Sequence, residues 1–87
     1  MVEEYRQAYE SVQGYEDKKK ILNSLIGHLP EDVAVNYAIF INDLQNKINV
    51  LGSLDYDVRD QVIRDIHKEL DNNFYNAIEF FSNVKSR

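Results

Sequence analysis

From Asp55 to Val84 the apolar residues recur at helical spacing, with Ile63, Ile66, Leu70, Phe74, Ala77, Phe81 and Val84 falling three or four positions apart. A strand would need alternation at every second residue, so this spacing admits one regular structure, a helix with a single apolar stripe. The phase survives the polar run Asp71, Asn72, Asn73. Asn and Asp are poor helix formers, but a loop there would shift the stripe that follows. The pattern predicts one helix over 55–84, about 45 Å long at 1.5 Å per residue, with a break at Asp71–Asn73 as the alternative.

Glycine and proline divide the rest. Gly27 precedes His28, Leu29 and Pro30, and a Gly past a helix end followed by Pro in the next first turn is a stop and a start. Glu31 and Asp32 then sit where the helix dipole favours acids. Gly52 repeats the device, with Ser53 and Asp55 as candidate N-caps. Connectors this short join antiparallel neighbours. Between them, Val33, Tyr37, Phe40, Leu44, Ile48 and Leu51 form a core-facing seam, with Ile41 beside it.

Val2, Tyr5, Ala8, Tyr9 and Val12 share one face of a first helix. After Gly14 the apolar group Tyr15, Ile21, Leu22, Leu25 and Ile26 is rotated from it by roughly 120°, at about 100° per residue. One straight helix would not show that jump. The expectation is an all-α antiparallel bundle forming a single domain over 1–87. Its four helices span about 2–13, 15–26, 30–51 and 55–84, or three if the first two run on through Gly14. Pairs of acid and base at i and i+4 should line the exposed faces: Glu16 with Lys20, Asp43 with Lys47, Asp55 with Arg59, Asp60 with Arg64.

A chain of 87 residues buries a modest core. With no Cys, neither a disulfide nor a thiolate metal site can supplement it. Well-packed helices or a second chain remain. No apolar run approaches the roughly 20 residues that span a bilayer, and Glu3 and Glu4 replace the apolar core of a signal peptide. The chain reads as cytoplasmic, with no membrane insertion.

Catalytic patterns are lacking in the sequence. Nucleophilic catalysis needs a hydroxyl or thiol held by an oriented base, and the only imidazoles are His28, in a connector, and His67, in a helix beside Asp71. His67 reads as a His–Asp contact on a solvated face. Two imidazoles without thiols do not make a zinc site, and no glycine-rich phosphate loop occurs. No catalytic, cofactor-binding or metal-binding residue is assigned. Lys18, Lys19 and Lys20 fan over about 200° of a helix, and the net charge of −5 repels phosphate backbones. Direct nucleic-acid binding is not expected. An acidic mimic of nucleic acid is a lesser alternative, because the acids are interspersed with bases.

The apolar surplus points to function. From Val33 to Ile41, eight of nine residues are apolar or aromatic, and Val35 and Ile39 point away from the seam. Either this helix is sandwiched on two sides, the more economical reading, or its second face meets another chain. A second surplus lies at Phe74, Tyr75, Phe80 and Phe81. Here too core packing is the simpler account, but aromatics also mark binding surfaces, and the last turns of a helix that outruns its neighbours would lack cover. The expectation is an acidic protein–protein interaction module without catalytic activity, its apolar helix face ringed with acids. It would be regulatory or inhibitory, an immunity-type or enzyme-neutralising protein whose partner is basic. A homodimeric scaffold or a subunit of a larger assembly is the alternative. The expected contact residues are Val35, Ile39, Phe74, Tyr75, Phe80 and Phe81.

Overall fold

The computed structural model describes residues 1–85, with side chains described as far as Asn83. Among these residues the chain forms α1 (Val2–Ser11), α2 (Tyr15–Ile26), α3 (Glu31–Asn49) and α4 (Tyr56–Lys85), with a 3-10 turn at Leu51–Ser53 and no strand. The polar run Asp71–Asn73 leaves α4 unbroken. Asn73 bonds inside the helix, its amide donating to the Glu69 carbonyl at 2.8 Å. The break near Gly14 also stands: Val12 is extended, with φ −106° and ψ 152°, and α1 ends two residues earlier than its periodicity suggested.

The other two connectors work differently from expectation. No described glycine has a positive φ. α2 ends by tightening into i→i+3 bonds, His28 N–H to Leu25 carbonyl and Leu29 N–H to Ile26 carbonyl. Pro30 stands at the N-cap position, outside the first turn, and its carbonyl accepts from Val33 and Ala34. α3 stops at Asn49, short of Leu51, because the chain tightens again there. Ser53 caps nothing ahead of it: its hydroxyl turns back to the Val50 carbonyl at 2.8 Å.

α4 is the spine, and every other element packs against it. Tyr9 and Tyr5 of α1 reach Phe74 and Phe81, so α1 runs antiparallel to α4. Lys18 near the start of α2 meets Asp71, and His28 just beyond its end meets Phe81, so α2 runs parallel to α4. α3 returns antiparallel to α2 and is tied to α4 by Lys47 and Glu69 at 3.0 Å. α1 and α3 are not neighbours among the described residues; they flank the α2–α4 pair.

The core follows from this arrangement. Ile66, Leu70, Phe74, Ala77, Ile78 and Phe81 of α4 are buried against Tyr9, Leu22, Leu25 and Ile26. Ile63 is half-buried, and Val84, the last residue of the expected stripe, lies outside the residues whose side chains are described. Each full burial of a large apolar side chain is worth about 1.5–3 kcal/mol. The α3 seam is thinner: Leu44 is buried, but Val33, Tyr37, Phe40, Ile41 and Ile48 are only half covered.

The Cα envelope measures 48 × 27 × 15 Å, with a radius of gyration of 13.7 Å. A compact chain of this length would have a radius of about 12 Å, so the molecule is elongated and thin. Replacing Phe74 with Ala should destabilise it by about 3–5 kcal/mol. Val35→Ala, on the far side of α3, should change stability by less than about 0.5 kcal/mol. Urea unfolding followed by circular dichroism measures both, and similar losses at the two positions would mean the core is misassigned.

Candidate interaction surface

α3 has neighbours on one side only. Its inward face meets α2 and α4, while Val35 and Ile39 remain 51% and 57% exposed on the outward face. The sandwiched arrangement is therefore not the one adopted. Ala38, Asn42 and Asn46 share that outward stripe and are exposed as well. Toward α2 the stripe falls into a shallow groove of about 390 Å³, where Val35 and Ala38 face Ile26 across Ala34.

The border of the stripe carries amides along its length and acids at its two ends. No charged residue occurs from Val33 to Asn42, and the polar residues alongside it are amides: Asn23 of α2, and Asn36, Asn42, Asn46 and Asn49 of α3. Glu31 and Asp32 sit at its N-terminal end, while Asp43 and Lys47 line the cleft toward α4. Exposed acids thus stand one turn from the pair at either end, Asp32 before Val35 and Asp43 after Ile39, with amides between them.

The C-terminal aromatics divide. Phe74 and Phe81 are core residues, 0% and 1% exposed, and so are closed to a partner in this fold. Phe74 stacks on Tyr9 with ring centroids 3.8 Å apart and planes 6° from parallel. Phe81 lies between Tyr5, edge-on at 6.2 Å, and His28, stacked at 5.8 Å. Tyr75 and Phe80 stay partly exposed. Tyr75 donates its hydroxyl to Glu10 at 2.9 Å, on the α1 side of the molecule. Since α1 and α3 flank opposite sides, Tyr75 does not extend the α3 stripe.

Among the described residues, exposed apolar side chains also lie at the first turns of α4, which α1 and α2 do not reach. α1 and α2 meet α4 at His67, Asp71, Phe74, Tyr75 and Phe81. At the other end Val50, Tyr56 and Val58 are at least half exposed, and Arg59 lies over the Tyr56 ring at 5.5 Å. Helix length alone shows that α4 outruns α1 and α2; where they dock decides which of its described residues they cover.

A polar cluster went unread in the sequence. Asp71 accepts from Tyr9 at 2.5 Å and from Lys18 at 3.2 Å, and the Lys18 ammonium also meets His67 Nδ1 at 3.3 Å. Lys19 reaches Gln45 of α3 and Glu16. Two members of the lysine run thus turn inward as cross-helix ties and only Lys20 is exposed, so the run is not simply a solvated face. Of the expected i to i+4 pairs, Glu16 and Lys47 pair elsewhere, with Lys19 and Glu69. Neutral His67 accepts at Nδ1, so its proton is on Nε2. The ring faces lysine and the edge of Tyr15, not a hydroxyl or thiol nucleophile.

Burial and, secondarily, the Lys18 charge hold His67 below its ordinary value of 6.5, with Asp71 pulling the other way. Burial, followed by the bond to Asp71, pushes the Tyr9 hydroxyl far above the usual tyrosine range. Among the described residues no group of three or more His, Cys, Asp or Glu could hold a metal ion, and no helix is long and apolar enough to cross a membrane. In comparisons with known proteins, no family model matches the chain, and neither a curated protein nor a solved structure matches it.

The His67 shift has a definite sign. The unfolded chain takes up this proton first, so the contribution to stability is complete above about pH 6.5 and is lost as the pH falls through the folded value. The urea midpoint should decline between about pH 7 and 5, and His67→Gln should flatten that part of the profile. A decline unchanged in His67→Gln would remove His67 as its cause.

Proposed function

We propose that this chain is a non-catalytic protein–protein interaction module that docks through the outward face of α3. One observation carries the reading. Val35 and Ile39 stand half exposed in a charge-free stretch of helix whose opposite side already packs on α2 and α4. Isolated exposed apolar residues are ordinary on a protein surface. A pair one turn apart, continuous with Ala38 and an apolar groove beside it, presents the i and i+4 spacing by which helices dock.

The polar chemistry of the molecule supports a structural use of its imidazoles. His67 is held by Lys18, and His28 is stacked on Phe81. Recognition at the α3 face would come from side-chain packing, with amides on the border supplying hydrogen bonds. Neutralisation of a basic partner, the regulatory reading that net charge suggests, has less support at this face. Charge steers association when opposite charges meet across the contact, and the stripe offers acids only at its two ends.

The test is a double substitution. Val35→Glu with Ile39→Glu should leave the helical circular dichroism spectrum intact, because neither side chain is in the core. It should weaken binding to any stoichiometric protein partner, whether a second copy or another chain, by more than about tenfold, since burying an unpaired carboxylate is strongly unfavourable. Affinity purification and sedimentation of the two forms side by side read this out. Equal partner recovery by both forms would end the assignment of this face.

A further inference from the structure

We draw no further inference here: the strongest candidate, the cleft between α1 and α2 lined by Tyr5, Lys20, Ser24 and His28, is open to solvent, with its two hydroxyls bonded to each other at 3.1 Å and its lysine exposed, so nothing in it selects a ligand.

Discussion

The fold depends on the clamp that Tyr9 makes on α4. Its ring lies flat on Phe74 and its hydroxyl reaches Asp71, one turn earlier on the same helix. A ten-residue helix has little stability of its own in water, so α1 exists where Tyr9 and Tyr5 hold it. In return α1 closes the aromatic half of α4, which α2 covers from another side through Leu22, Leu25 and Ile26. Aromatic area, a charge-assisted bond and helix formation act at one place.

That concentration of cover has a consequence elsewhere. α1 and α2 both engage α4 at residues from His67 to Phe81, so they shield neither its first turns nor the far side of α3. Val35, Ile39, Val50, Tyr56 and Val58 are left in water because no element remains to cover them. The uncovered surface differs in character along its length. Around Tyr56 it is interspersed with Asp55, Asp57 and Arg59, while along α3 it is apolar and amide-lined. Only the second has the composition of a helix-packing surface.

Charged groups participate in this packing from its edges. Among the described residues no charged side chain is fully buried. Lys18 and Lys19 lay their stems along the helix interface and keep their ammonium groups in contact with Asp71, Glu16 and neighbouring polar atoms. Asp71 serves Tyr9 and Lys18 together and so ties α1, α2 and α4 at one carboxylate. A residue run that resembles a solvated surface thus supplies cross-helix registration.

The chain's own order of residues determined the helices and their directions. Apolar spacing set α4 through Asp71–Asn73, the rotation of the apolar group at Gly14 set the break between α1 and α2, and short connectors made successive helices antiparallel. Periodicity is a local property, and it fixes which face of a helix is apolar. It does not say which neighbour arrives, or from which side. Where α1 docks along α4 was a tertiary decision, and with it the burial of Phe74 and Phe81, the exposure of Tyr56 and the capture of Lys18 by Asp71. Val35 and Ile39 were legible as residues pointing away from the seam; that they face solvent depended on α1 packing beside α2 and α4, where it covers the aromatic stripe, and leaving α3 bare.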